Sequence, residues 1–360
     1  MRRIIGITIL VFASLLFIIS AVTEFTRFFY ELRLSPTAQK SWWGSDKGGS
    51  GDLYGFTSLP QFRISSPYGT DFSVKAPDCS GIKKTYNIYA ITDSYTDIIF
   101  SNPGNFCGAS QSAYAFINNR DVLPVYLDKT KKNILMIECV ERDVRKRLVD
   151  TSYMMRFITV LKEKPKDVKA AENTHHFNFN FKLKNADGDY ETNIWDYRLF
   201  RPIKELKAKM NFTLFNRTYK DALVSPDGKF LLYEPTVDTA YFESSYKPIS
   251  TSELKTLVAH MNIIYDHYKQ LGFDEIYLSV IPNPTTILYP NYKGLQYNQL
   301  IPKLENDHSL KYKVFDIYQA FKNCPEKDKI YQRSDTHWAR FGSQLWLNEF
   351  NKWMSVNNKN

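Results

Sequence analysis

The chain has 360 residues, 43% of them hydrophobic, and a formal net charge of +9. This composition can bury a sizeable core and excludes a globally disordered chain, and the length suits one large α/β domain with insertions or a domain plus an anchor. The basic residues are spread along the sequence with no reading helix or recognised binding module beside them. That argues against nucleic acid and leaves a solvated basic surface, or attraction to anionic lipid or an acidic glycan. The 24 Tyr and 25 Phe are read as packing residues of a β-rich core rather than as a carbohydrate surface.

Arg2 and Arg3 precede an uncharged run from Ile4 to Val22. At about 1.5 Å per residue a helix of this length matches the ~30 Å hydrocarbon core of a bilayer. No small-x-small cleavage site follows, so residues 1–23 read as an N-terminal transmembrane signal anchor, with a cleaved signal peptide as the alternative. The arginines stay cytoplasmic, which predicts an extracytoplasmic location, periplasmic or at the cell surface, for everything after residue 23.

Residues 24–79 read as a stalk and surface loop region, and 80–360 as the main domain. Tyr86–Ile91 is a buried-strand candidate, Asp93–Phe100 has helical character, and Pro103-Gly104 ends it. Ser110–Asn119 reads as another short helix and Asn133–Val140 as a second central strand, followed by the charged Glu141–Arg147. Strand, helix, strand at this spacing favours a parallel sheet. An antiparallel β insertion is expected at about 165–215, because His175–Asp196 alternates with a period of two around Asn185-Ala186-Asp187-Gly188, before a basic helix at 202–210. Asp227-Gly228 predicts a further hairpin. The strongest helix signal is 250–272, with Ser250 and Glu253 as a capping box, Ile249 and Leu254 as a staple, and Gly272 as the stop. Strands at Glu275–Ile281 and Tyr312–Ile317 and a closing helix at Phe341–Trp353 complete the reading.

Among the four cysteines, Cys79, Cys107, Cys139 and Cys324, there is no C-x-x-C pair, which argues against a zinc site of that type. Cys139 lies in an apolar run and reads as a buried free thiol. Any two of the other three can pair in an exported protein. Adjacent strand residues face opposite ways, so His175-His176 reads as hairpin surface rather than a metal pair. Asn-x-Thr occurs at Asn211 and Asn216. No metal site and no cofactor is expected.

Two short motifs carry chemistry. Asp335-Thr336-His337-Trp338 supplies a carboxylate and an imidazole two residues apart, which face the same way if the segment is extended. Thr92-Asp93-Ser94-Tyr95 puts a serine where a buried strand stops. A serine hydroxyl needs a base within hydrogen-bond reach, and neutral imidazole is well matched to that task. Ser94 is therefore the candidate nucleophile, His337 the base, and Asp335 the group that fixes the histidine tautomer. The Ser94 and Gly108 backbone N–H groups are the oxyanion candidates. Trp338, Tyr95 and Tyr289 are candidate cleft-lining residues, and Glu138 with Arg142 a candidate structural ion pair.

Residues 330–343, Ile-Tyr-Gln-Arg-Ser-Asp-Thr-His-Trp-Ala-Arg-Phe-Gly-Ser, resemble the D-x-H-W motif and its surroundings in the alginate O-acetyltransferase-like branch of the SGNH-hydrolase superfamily. Residues 92–95 are similar to that family's serine block, with Thr92 where glycine is usual, and Glu138-Cys139-Val140-Glu141-Arg142 resembles its E-x-x-E-R. Gly228–Tyr233 and Ile281–Pro290 resemble segments that precede D-x-H-W. The resemblance covers about 80–160 and 220–355. The motif order is rearranged, since D-x-H-W here follows the serine block, as in ordinary SGNH enzymes and lipoteichoic-acid D-alanylation proteins. Pro282-Asn283-Pro284 stands where the branch carries a lysine.

The resemblance implies a flavodoxin-like three-layer α/β/α domain with its site at the C-terminal edge of the sheet. It implies a serine acyl-enzyme that O-acetylates an exported or cell-surface polysaccharide, beside a multi-spanning membrane acyl exporter. An SGNH carbohydrate or lipid esterase with the same triad is the alternative. A non-catalytic envelope protein that binds glycan or serves assembly is the reading from another class.

Overall fold

The computed structural model describes residues 2–21, 51–63, 74–118, 122–163, 201–218 and 221–357. The chain divides into two compact units, Met1–Thr70 with Lys169–Ala222, and Asp71–Val168 with Leu223–Asn360.

The larger unit is built on a five-stranded parallel sheet. Its strands in chain order are β1 (Tyr86–Thr92), β2 (Ala109–Phe116), β3 (Lys132–Val140), β4 (Glu275–Ile281) and β5 (Lys313–Val314), and their order across the sheet is 2-1-3-4-5. Every neighbouring pair is parallel. The inner strands β1, β3 and β4 are almost wholly buried, which is why they read as continuous apolar runs rather than alternating ones.

Helices cover both faces, and the register shows how. Ala90, Met136 and Tyr277 lie side by side on one face. There Tyr277 meets Trp353, and Ser279 accepts from Trp346 Nε1 at 3.3 Å, both tryptophans belonging to the Arg340–Asn357 helix. Tyr89, one residue earlier on β1, points to the other face and packs on Phe273, which in turn packs on Tyr268 of the Thr251–Gln270 helix. That helix starts where the capping box places it, with Ser250 Oγ accepting from the Glu253 N–H at 3.1 Å, and stops at Gly272, whose φ of +104° is open to glycine at little cost.

Smaller pairings decorate this frame. Leu123–Val125 runs parallel to Ile158–Val160, Asn291–Tyr292 antiparallel to Leu295–Gln296, and Ala222–Val224 pairs with Leu231–Tyr233 around Asp227-Gly228. A disulfide joins Cys79 to Cys107 at the start of β2, while Cys139 and Cys324 are buried free thiols.

Three expectations change. Ser110–Asn119 is not a helix, because Ala109–Phe116 is the edge strand β2. With one neighbour only, it needs no apolar run, and its polar residues disguise it. The strand expected at Tyr312–Ile317 is only Lys313–Val314, and Asp316 then caps a helix, Ile317–Asn323, by accepting from Gln319 N–H at 3.0 Å. Of Asp93–Phe100, only Asp97–Phe100 is helical.

In the smaller unit, Arg2–Ala21 forms one helix of 20 residues. Its described side chains, residues 5–15, are all exposed. Among the described residues no helix is long and apolar enough to cross a membrane. The basic helix expected at 202–210 runs from Arg201 to Phe215. The stalk at 24–34, the period-two segment His175–Asp196 and the His175-His176 pair lie outside the described residues.

Candidate active site

The strand order 2-1-3-4-5 fixes where a cleft can form. From β1 the chain moves to β2 on one side and then crosses to β3 on the other, so a crevice opens beyond the C-terminal ends of β1 and β3. Ser94 lies there, two residues past the end of β1, in a turn before the Asp97–Phe100 helix.

The D-x-H-W loop approaches from the other end of the chain. It is closed at its base by Ala339 N–H donating to the Ile330 carbonyl at 2.7 Å and Gln332 N–H to the His337 carbonyl at 3.2 Å. Tyr331 ties it to the end of β4 by donating to the Pro282 carbonyl at 2.8 Å. Gly342 in the following helix lets that helix sit against the loop, since a Cβ there would collide with the Ile330 carbonyl and come within 3.0 Å of Trp338 Cβ.

These elements bring Ser94, His337 and Asp335 together. Ser94 Oγ is 2.6 Å from His337 Nε2, and His337 Nδ1 is 2.6 Å from Asp335 Oδ1. An ionised carboxylate can only accept, so Nδ1 carries the proton and Nε2 is left to accept from the serine. The same Asp335 oxygen also accepts the His337 backbone N–H at 2.9 Å. This is an Asx-turn geometry, and it explains the two-residue spacing better than an extended strand does. Asp335 is buried, whereas the histidine side chain keeps 19% of its surface and Ser94 is half-buried, so the candidate nucleophile and base remain reachable. The Ser94 N–H makes no hydrogen bond to another described residue and is open to serve as an oxyanion donor.

Beneath the serine, two carboxyl groups stitch its turn to β3. Asp93 accepts Tyr95 N–H at 3.0 Å and Val140 N–H at 2.9 Å. Glu138 accepts Asp93 N–H at 3.1 Å and the Thr96 hydroxyl at 2.8 Å. Complete burial, and then the neighbouring Asp93 charge, push the Glu138 carboxyl well above its ordinary range. Glu141 holds the Pro-Asn-Pro segment, accepting Asn283 N–H at 2.9 Å and the Thr286 hydroxyl at 2.5 Å. Burial raises its carboxyl to about 7.

The other sequence candidates fall elsewhere. Gly108 is not an oxyanion donor at this site. It is buried at the start of β2, its carbonyl accepts from Thr85 and Tyr86, and it lies at the N-terminal end of the sheet, one strand length from Ser94. Trp338 and Tyr95 do not line an open cleft, being 0% and 1% exposed. They form the wall behind the histidine, with Tyr95 5.0 Å from the His337 ring and 5.2 Å from Trp338. Tyr289 packs on Phe230 in a separate apolar cluster and donates to Asp227 at 2.7 Å. Glu138 and Arg142 form no ion pair; Arg142 donates to the Tyr95 hydroxyl at 3.2 Å instead. Asp93, Glu138 and Gly342 lie inside the segments that carry the resemblance, but the sequence does not show that Asp93 and Glu138 tie the serine turn to β3 or that Gly342 sits against the Ile330 carbonyl.

No family model matches this chain, and no curated protein or solved structure matches it.

Proposed function

We propose that this protein is a membrane-anchored, extracytoplasmic serine acyltransferase that O-acetylates an exported or cell-surface polysaccharide. The observation that carries this is the chain of two 2.6 Å contacts from Ser94 through His337 to Asp335 at the mouth of the sheet. The D-x-H-W and serine-block resemblance supports an SGNH-type enzyme of the alginate O-acetyltransferase-like branch. The strand order 2-1-3-4-5, with helices on both faces, supports the flavodoxin-like three-layer architecture of such a domain. Arg2 and Arg3 before an uncharged helical run support the anchor and its orientation.

In the first half-reaction the Ser94 hydroxyl gives its proton to His337 Nε2 as its oxygen bonds to the acyl carbon. The Ser94 N–H donates to the developing oxyanion, and the leaving alcohol departs with the proton that His337 returns. In the second, a sugar hydroxyl gives its proton to His337 and attacks the acyl-serine, and the serine leaves with that proton. Asp335 holds the imidazole in one tautomer and stabilises its charged form in both halves.

The test offers the full chain an activated acetyl ester with and without glycan acceptors, comparing native protein with Ser94→Ala. Acetyl transfer to glycan that depends on Ser94 supports the proposal, and Ser94-dependent release to water alone makes the protein an esterase. Absence of both turnover and an acyl adduct on Ser94 leaves a non-catalytic envelope protein.

A further inference from the structure

On the β2 side of Ser94 stand polar groups that the triad does not use, and the strand register places the first of them. Thr92 pairs with Phe116, and the Ile117 N–H extends that pairing by donating to the Thr92 carbonyl at 2.8 Å. Asn118, two residues beyond Phe116, therefore stands level with Ser94, two residues beyond Thr92. Arg147 Nη2 donates to Asn118 Oδ1 at 3.1 Å, and Nη1 of the same guanidinium lies 3.9 Å from Asp93, the neighbour of the serine. An arginine can only donate, so it fixes the amide with Nδ2 turned away. That exposed Nδ2 donates to none of the described residues.

Two more groups complete the set. Ser112 Oγ donates to the Phe100 carbonyl at 2.8 Å, so the Asp97–Phe100 helix lies over the face of β2 that carries Ser112 and Tyr114. That helix runs back from the Ser94 turn, which sets Asp97, its first residue, nearer the C-terminal edge and Tyr114. Burial, and then the Asp97 charge, raise the half-buried Tyr114 hydroxyl. Burial also raises the Asp97 carboxyl, while the Ile98 N–H and then the His337 charge act the other way, so Asp97 is within electrostatic reach of the base. Asp97 Oδ1 accepts only the adjacent Ile98 N–H, at 2.7 Å. Among the described residues no cation pairs with Asp97, and the Tyr114 hydroxyl has no hydrogen-bond partner.

An amide donor, a phenol and an unneutralised carboxylate beside a nucleophile suit a ligand whose hydroxyls both donate and accept. The carboxylate also opposes a ligand that carries one of its own. We propose that Asp97, Tyr114 and Asn118 form the acceptor subsite next to Ser94, and that it takes a neutral sugar in preference to a uronate. Asp97 accepts from a hydroxyl near the one that is acylated, and Asn118 Nδ2 donates to an oxygen of the same ring. This rests on the serine acyltransferase reading and adds the class of acceptor to it.

The test gives the full chain an activated acetyl ester and, as acceptors, methyl glucoside and methyl glucuronide, which differ only at C6. Native protein should acetylate the glucoside with a kcat/KM about tenfold or more above that for the glucuronide. Asp97→Asn keeps the side-chain shape and removes the charge, and it should shrink this preference about tenfold, the glucuronide gaining and the glucoside losing. Asn118→Ala should raise the KM for the glucoside about tenfold and lower the ratio of transfer to hydrolysis. Asp97→Ser repeats the specificity measurement should Asp97→Asn melt below the native protein. A native enzyme that acetylates both sugars alike, or a preference that loss of the Asp97 charge leaves unchanged, overturns the subsite and spares the acyltransferase reading. Absence of Ser94-dependent turnover, or Ser94-dependent release to water alone, overturns the acyltransferase reading and the subsite with it.

Discussion

The Tyr95 hydroxyl donates to the Thr336 carbonyl, so the residue after the candidate nucleophile holds the residue before the candidate base. Arg142 closes the same knot by donating to that hydroxyl at 3.2 Å. Two segments some 240 residues apart in sequence are thereby locked before any substrate arrives. Tyr95→Phe keeps the ring contacts and loses the lock. Steady-state kinetics should show kcat falling about 10–100-fold with KM nearly unchanged, the signature of a displaced base rather than lost binding.

Asp335→Asn offers the histidine an amide in place of a carboxylate and permits the wrong tautomer. The acyl-transfer rate should fall by about 10³–10⁴-fold, with Ser94→Ala at least as severe. A stopped assay with activated ester checks both, and near-native turnover in Asp335→Asn would remove Asp335 from the mechanism.

Gly342→Ala should be costly although alanine is the better helix former. The added methyl meets a backbone carbonyl, that of Ile330, which cannot swing away, so the closing helix or the D-x-H-W loop must move. Chemical denaturation should show a loss of about 1–3 kcal/mol, and turnover should fall together with stability.

The disulfide provides the opposite case. Cys79 and Cys107 are 28 residues apart, and closing such a loop is worth about 3–4 kcal/mol in the chain-entropy account. The bridge sits at the start of β2, away from the end of β1 that leads to Ser94. The double Cys→Ser variant should therefore melt lower yet turn over normally when assayed well below its midpoint.

Glu141 makes stability depend on pH. Its folded carboxyl is raised from 4.5 to about 7, so the folded state binds its proton more tightly than the unfolded chain does. The corresponding stabilisation is complete below about pH 4.5 and is lost as pH rises through about 7, on the order of 3 kcal/mol. Glu141→Gln keeps an acceptor for Asn283 N–H and removes the titration. The difference between wild-type and variant unfolding free energies, measured from pH 5 to 9, should change in the variant's favour as pH rises; a flat difference refutes the assignment.

Where a feature is written locally, it is legible. The central strands β1, β3 and β4 follow from unbroken apolar runs, and the Thr251–Gln270 helix from its cap, periodicity and terminal glycine. Edge strand β2 was hidden because one-sided pairing relaxes the demand for apolar residues. Gly108 reads as a site residue only because a loop glycine lets substrate approach closely, and a linear sequence does not tell which end of the sheet a loop occupies.

The sequence by itself determined the chemistry available: a serine at the end of a buried strand, and an aspartate and histidine spaced so that one carboxylate oxygen grips both ring and backbone. Only the tertiary structure decided that these groups meet. Parallel strands must run the same way, which puts the end of β1 and the end of β3 at one edge, and the burial of Trp338 behind Tyr95 draws the late loop onto the early turn. Local propensity does not encode that meeting, because the contacts that enforce it join residues far apart in the chain and form only when the core closes.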